Sequence, residues 1–355
     1  AIKERADYLI LEINERTIEK GYIEGIPFSI RALTNIVPKH NTLSYTEEEY
    51  VNIKKSFFKV DDEDDCTCIY TLTEKELLED LIRQNNKPYK VVSSEYVARV
   101  KGVEEAKIDY MLHQGTKEFD SLEGLNFNIK TKTKDVECHT NLIMPFNALN
   151  ITLAYAILDS LGEMEDSEFN QLLEEIKIPG RDEVIRYNGR TIIITITCTP
   201  HLEIIKRYKE KGKVKNIRLV TGSFGKGFNS WLEEYKEEKF TKYVEESMRW
   251  AYSYFIKNVD QIYITTNDNA YSNITELLGK QKKEVEGKTT YFLIEDRKEA
   301  IKKAIEDSER NDVIIISGRG NRSIFCKDRR NVEIYLDRSI VEEEIIKKKE
   351  EDNAN

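Results

Sequence analysis

Short, almost unbroken apolar runs alternate with helical stretches through the second half of the chain: Thr191-Ile192-Ile193-Ile194-Thr195, Ile217 to Thr221, Gln261 to Thr265 and Asp312 to Ile316. A strand that is apolar at consecutive positions has two faces to bury, so these runs call for a mostly parallel sheet covered by helices on both sides. Tyr291-Phe292-Leu293-Ile294 and Val332-Glu333-Ile334-Tyr335-Leu336 are expected to extend that sheet.

The first half alternates in the same way. Tyr8-Leu9-Ile10-Leu11 and Ile30-Arg31-Ala32-Leu33-Thr34-Asn35-Ile36-Val37 read as strands. A helix follows from Thr46, then Cys68-Ile69-Tyr70, a helix from Glu74 to Gln84, and Tyr89-Lys90-Val91-Val92. A more polar section with Ala106 to Leu112 and Leu125 to Lys130 looks antiparallel, and helices over Asn147 to Leu161 and Ser167 to Ile176 close the unit. Pro179-Gly180 breaks regular structure and marks a boundary, giving two α/β domains over 1–176 and 177–355. The Lys/Glu-rich stretch from Glu342 to Asn355 is expected to be a frayed helix or disordered.

Composition removes some functions from consideration. A formal net charge of -10 argues against a general nucleic-acid or anionic-membrane binder. No apolar stretch approaches the roughly 18 to 20 residues that span a bilayer. The 5 cysteines form no disulfide-like framework: Cys66-Thr67-Cys68 is too close-set for a zinc knuckle, and Cys138-His139 stands alone. Unpaired thiols suit a reducing cytoplasm, which is the expected location.

Three residues carry the functional reading. Glu12 ends the apolar run from Tyr8 and would stand at the C-terminal edge of a strand, where open α/β sheets bind ligands. His40 follows the Ile30 to Val37 run, and Lys54 falls two turns into the helix opened by Thr46-Glu47-Glu48-Glu49, a capping-box pattern. Each alone is most often a solvated or hydrogen-bonded group. Together they could hold one divalent cation, except that an ammonium has no lone pair to offer.

The segments Ala6 to Glu12, Thr34 to His40 and Thr46 to Lys54 resemble the central domain of the Mur ligases, which make amide bonds in peptidoglycan precursors at the expense of ATP. The members that add the third amino acid of the stem peptide are the most similar. The resemblance implies that Glu12, His40 and a carbamylated Lys54 surround a magnesium ion, carbamylation supplying the oxygen ligands that the amine lacks. Phe146-Asn147-Ala148-Leu149-Asn150 is similar to the family's F-N-x-x-N, which puts Asn147 and Asn150 on the adenine side. Pro179-Gly180-Arg181-Asp182-Glu183 is similar to P-G-R-x-E, which directs Arg181 to ATP phosphates. Asp268-Asn269 and Gly318-Arg319-Gly320 resemble the starts of D-N-P-R and G-K-G-H-E, and Glu295-Asp296-Arg297 also fits. The implied fold is a Mur ligase-like central ATPase domain, truncated at its N-terminus, followed by a Rossmann-like C-terminal domain.

The departures point elsewhere. No Gly-x-x-x-x-Gly-Lys-Ser/Thr loop occurs, and the family places that loop upstream of the Glu12 strand, so the chain is expected to be a fragment or a protein that has lost it. Gly222-Ser223-Phe224-Gly225-Lys226-Gly227 occupies the place of a Gly-rich turn without its acids. D-Y-A-H-T-P becomes Thr195-Ile196-Thr197-Cys198-Thr199-Pro200, losing its acid and its histidine, D-N-P-R continues as Ala270-Tyr271, and G-K-G-H-E ends as Asn321-Arg322.

Two functional classes result. One is an ATP- and Mg2+-dependent ligase joining a nucleotide-sugar peptide or other carboxylate to an amino acid, the acceptor presenting its carboxylate to Arg319 and Arg322 and lacking a distal ammonium. The other is a non-catalytic binding or regulatory module. Without backbone amides to cradle the phosphates, the chain as given is expected to bind ATP weakly.

Overall fold

The computed structural model describes residues 6–37, 45–61, 63–114, 122–162, 165–224, 237–269, 272–327 and 330–354. The chain divides into two compact units, the second beginning for good at Ile176 and also taking in short stretches around Leu122 and Ile143.

The first unit runs α1 (Glu15–Glu19), β1 (Ile30–Leu33), α2 (Glu47–Ser56), β2 (Thr67–Thr71), α3 (Lys75–Arg83), β3 (Tyr89–Ser94), α4 (Glu95–Lys101), β4 (Tyr110–Gln114), β5 (Leu125–Thr131), β6 (Asp135–Thr140), α5 (Pro145–Leu161) and α6 (Asp166–Glu175). Its sheet has the order β1-β2-β3-β4-β5-β6. The first four strands are parallel, whereas β5 and β6 run antiparallel. Burial follows this division. Four of the five β2 residues are buried, as a strand with two covered faces requires, while β5 and β6 bury alternate residues. A core of Tyr50, Phe57, Phe58, Cys68, Tyr70 and Leu81, with their neighbours, joins the sheet to α2 and α3.

Tyr8-Leu9-Ile10-Leu11 does not form the expected strand. The run joins no ladder among the described residues, and Ile10 is 93% exposed. A strand is defined by its backbone partners, and β1 is paired only with β2. Apolar composition without an edge to pair with leaves Glu12 in an exposed segment instead of at the end of a sheet strand.

The second unit contains β7 (Glu183–Tyr187), β8 (Arg190–Thr195), α7 (Thr199–Glu210), β9 (Ile217–Thr221), α8 (Glu237–Asn258), β10 (Gln261–Ile264), α9 (Ile274–Val285), β11 (Thr290–Leu293), α10 (Arg297–Glu306), β12 (Val313–Ser317), β13 (Ile324–Cys326), β14 (Val332–Ile334) and α11 (Asp337–Ala354). The sheet order is β11-β10-β9-β12-β8-β7, and only β7 is antiparallel. Strands β9 and β12 are buried at every position and form the middle. Successive strands add outward from β9 to β11 before the chain returns to lay down β12 on the other side. The β9/β12 boundary is therefore a topological switch point, where such sheets open a crevice at their strand C-termini.

One further expectation is corrected here. Val332 to Leu336 does not extend the main sheet; β14 pairs with β13 in a separate antiparallel ribbon. Its one buried side chain, Phe325, is on the partner strand, while Ile324, Val332 and Ile334 are exposed, so the ribbon has only one face to cover. The charged tail is helical, and Ile340, Val341 and Ile345 are buried in the core that contains Ala300, Ile301 and Ala304 of α10. Three apolar residues on one face anchor a helix whose overall composition is polar.

Candidate functional site

Lys54 is placed by the start of its own helix. Thr46 Oγ1 accepts the Glu49 N–H at 3.2 Å, and Glu49 Oε2 accepts the Thr46 N–H at 2.8 Å, a reciprocal capping box. Two turns on, Lys54 turns towards α1, which is capped by Asn14 Oδ1 accepting from Thr17 N–H at 2.9 Å. Lys54 Nζ lies 3.5 Å from Glu15 Oε2 and donates to the Ile13 carbonyl at 3.4 Å. It also stands 5.9 Å from the centroid of the Tyr50 ring. The side chains of Lys54 and Glu15 are only 16% and 11% exposed. Burial raises the Tyr50 phenol above its ordinary value, and the Glu15 charge raises it further.

These surroundings test the magnesium set that the resemblance implies. A carboxylate, a carbonyl oxygen and an aromatic face all favour a cation, whereas a carbamate would set its own oxygens against two of them. The residues present fit an ammonium at Lys54 and do not fit the anionic ligand. Glu12 is exposed, and His40 lies outside the described residues. Among the described residues no group of three His, Cys, Asp or Glu side chains could hold a metal ion.

On the nucleotide side, Asn147 and Asn150 occupy the first turns of α5 one turn apart, Asn147 buried and Asn150 exposed. Arg181 is exposed in the second unit, after a turn that only glycine can make. Gly180 has φ +66, and a Cβ there would lie 2.0 Å from the Asn321 amide nitrogen. The Pro179-Gly180 turn thus rests against the loop from Gly318 to Arg322. Burial lowers the Arg322 guanidinium from its usual value, with the charges of Arg319 and Arg181 contributing.

The loops after β9, β10 and β12 meet at the switch point. Gly222 touches the next strand's exit so closely that a Cβ would lie 2.2 Å from the Thr265 carbonyl oxygen. Asp268 is buried and accepts the Cys326 N–H at 3.1 Å; burial raises its carboxyl above the usual range, against the pull of Arg319, Arg322 and Arg297. Asn269 donates its backbone N–H to the Cys326 carbonyl at 2.9 Å. Its side chain is fully buried, and neither amide atom has a hydrogen-bond partner among the described residues. Asn269 lines a cavity of about 130 Å³ with Thr266, Glu295, Arg297, Lys298 and Phe325.

Arg319 is engaged by the protein's own groups. It is fully buried, donates to Asp337 Oδ1 at 3.1 Å and to the Arg322 carbonyl at 3.0 Å, and lies over the rings of Tyr335 and Phe325 at 4.5 and 5.0 Å. Asp337 also binds Arg297, whose Nη2 donates to Oδ2 at 2.8 Å and whose Nη1 donates to Asn267 Oδ1 at 2.7 Å. Arg322 is half-buried, with its guanidinium 5.3 Å from the Phe224 ring centroid. Tyr271 and the Gly225 to Gly227 turn lie outside the described residues.

One acid–imidazole pair escaped the reading of the sequence. Thr195 and Cys198 stand where the resemblance places an acid and a histidine. The structure brings Asp182 and His201 there instead, with His201 Nε2 2.7 Å from Asp182 Oδ1, and Thr195 Oγ1 donating to the same oxygen at 3.1 Å. All three residues are buried, and His201 Nδ1 has no partner among the described residues. A pair separated by 19 positions across two strands and the turn between them leaves no periodic trace in the sequence.

Comparison with known proteins agrees with this architecture. Residues 1–158 match the family described as Mur ligase middle domain. Across its whole length the chain is 22% identical to the UDP-N-acetylmuramoyl-L-alanyl-D-glutamate--2,6-diaminopimelate ligase of Fusobacterium nucleatum, of which it covers 67%. With the ligase of the same name from Bacteroides fragilis the identity is 26%, covering 96% of this chain and 64% of that protein. A solved structure of a ligase of that name superposes over 98% of this chain and 66% of its own, with a TM-score of 0.60 and 19% identity. The MurF ligase of Thermotoga maritima in complex with ADP gives a TM-score of 0.56 at 12% identity, covering 94% of this chain and 64% of that one. The fold of both units is thus that of the Mur ligase central and C-terminal domains. The chain spans about two thirds or less of the length of these relatives.

Proposed function

We propose that the chain forms the central and C-terminal parts of an ATP-dependent acid–amino-acid ligase of the Mur type, with the amino acid held in the second unit at the ends of β9, β10 and β12. The observation that carries this reading is Asn269: a fully buried amide with both atoms unpartnered among the described residues, lining a cavity with acidic and basic side chains. Leaving a buried amide unpaired costs about 1–3 kcal/mol, so such a group persists where a ligand or water completes it. A zwitterion suits the mixed charge. Glu295 on the cavity wall offers a carboxylate to an amine, and Lys327 a cation to a carboxylate.

In the family's chemistry ATP converts a carboxylate to an acyl phosphate, which the incoming amine displaces. Asn147 and Asn150 are assigned to the adenine and Arg181 to the phosphates, and the acid partner to a nucleotide-sugar peptide or another carboxylate. The switch-point crevice supports the amino-acid assignment, because its loops supply convergent polar groups on rigid strands. Calorimetry with a panel of amino acids tests it. An acidic or neutral amino acid should bind to this chain and lose at least tenfold in affinity in Asn269→Leu, about 1.4 kcal/mol. A panel without binding, or a preference for lysine or diaminopimelate, would reject the assignment. The alternative of a non-catalytic module draws its support from the cation-selecting surroundings of Lys54, and phosphate release by a protein that includes the phosphate loop separates the two.

A further inference from the structure

Carbamylation of lysine inverts a charge. The ammonium first loses a proton to solvent; the neutral amine nitrogen then bonds to the carbon of carbon dioxide, one carbon–oxygen π pair moves onto oxygen, and a second nitrogen proton leaves to solvent, so a side chain that was +1 becomes -1. Whether a protein tolerates this depends on what faces the nitrogen. At Lys54 the facing groups are Glu15 Oε2 at 3.5 Å and the Ile13 carbonyl at 3.4 Å. The face of Tyr50 completes the set among the described residues, with its ring centroid 5.9 Å away. All three attract an ammonium, and Glu15 and Ile13 O would repel a carbamate in a site shielded from water. The neighbouring Lys55 does not compete for Glu15, because its Nζ is paired with Asp80 Oδ2 at 2.8 Å.

We infer that Lys54 in this chain is an unmodified ammonium held by Glu15, and that Glu15 is the residue that excludes the carbamate implied by the resemblance. Glu15 belongs to the first turn of α1, whose cap by Asn14 fixes the carboxylate near α2. The ion pair therefore takes the place of a metal ligand: Lys54 ties α2 to α1. This inference is independent of the amino-acid site in the second unit and stands or falls separately.

The test is carbon-13 NMR of the protein with labelled bicarbonate, with and without magnesium chloride. The wild-type protein should show no lysine carbamate resonance in either condition. Glu15→Ser should show one, and adding Lys54→Arg should remove it. A resonance in the wild-type protein that vanishes in Lys54→Arg would overturn the inference, and no resonance in a folded Glu15→Ser protein would overturn the role given to Glu15. A second measurement needs no variant. Acetic anhydride labelling of wild-type Lys54, read by peptide mass spectrometry, should be unchanged by bicarbonate, whereas protection by bicarbonate would contradict an unmodified amine.

Discussion

Asp337 supports the ligand edge of the second unit because two fully buried guanidinium groups, those of Arg297 and Arg319, share its carboxylate. Removing one member of a buried ionic network leaves charges with neither partner nor water, at a cost of about 3–5 kcal/mol. Asp337→Asn should therefore lower unfolding stability by that amount in urea titrations. Glu333→Gln, which breaks the half-exposed pair with Lys298, should cost no more than about 1 kcal/mol. Equal effects would mean that Asp337 is not the hub. The same contacts explain why Arg319 cannot be read from its motif: an arginine after a strand looks available until the acid 18 residues later is seen to hold it. Asn269 is the opposite case. The motif singled it out, and the fold leaves its amide buried without a partner among the described residues.

At the scale of elements, Asp166 joins the β5–β6 turn, α5 and α6 of the first unit. It accepts from Lys134 Nζ at 2.7 Å and from the Tyr155 hydroxyl at 2.7 Å. The hydrogen bond from Lys134 holds its carboxyl below the ordinary value of 3.8, with burial opposing and Tyr155 assisting. A folded-state pKa below the unfolded value adds stability above the unfolded pKa, and that stability is lost as pH falls through the folded one. Asp166→Asn should be less stable than the wild-type protein near neutral pH, with the gap closing below about pH 4. Because the side chain is 35% exposed, the gap should be under about 1 kcal/mol. Thermal midpoints of the two proteins across pH check both sign and size. A difference that persists at low pH would place the effect in packing.

For the whole molecule, the chemistry of the cysteines follows from burial. All five are free, and Cys66, Cys68, Cys138 and Cys198 are buried while Cys326 is half-exposed on the β13–β14 ribbon. Cys66 and Cys68 interact with each other, which lowers Cys68 to about 6 while raising Cys66, but neither reaches solvent. Accessibility should override thiolate character. A disulfide reagent should modify Cys326 first in the folded protein, and the other four only on unfolding. Early modification of Cys68 would show that β2 opens readily. No helix among the described residues is long and apolar enough to cross a membrane.

The sequence by itself determined what local periodicity encodes. The capping box at Thr46 and Glu49, the helices α3, α5 and α6, and the buried strands β8, β9, β10 and β12 were legible because each is written within one short segment. The Asn188-Gly189 turn between β7 and β8, with φ values of +43 and +74, was equally local, although the reading of the sequence missed it. Tertiary structure alone decided which polar groups meet. It left Tyr8 to Leu11 outside any ladder among the described residues, set Glu15 against Lys54 on neighbouring helices, buried Arg319 against Asp337, and joined Asp182 to His201. The physical reason is that periodicity records which face of an element is buried, whereas the charge a side chain faces depends on residues 18 to 39 positions away, brought within 4 Å only by the packing of the whole unit.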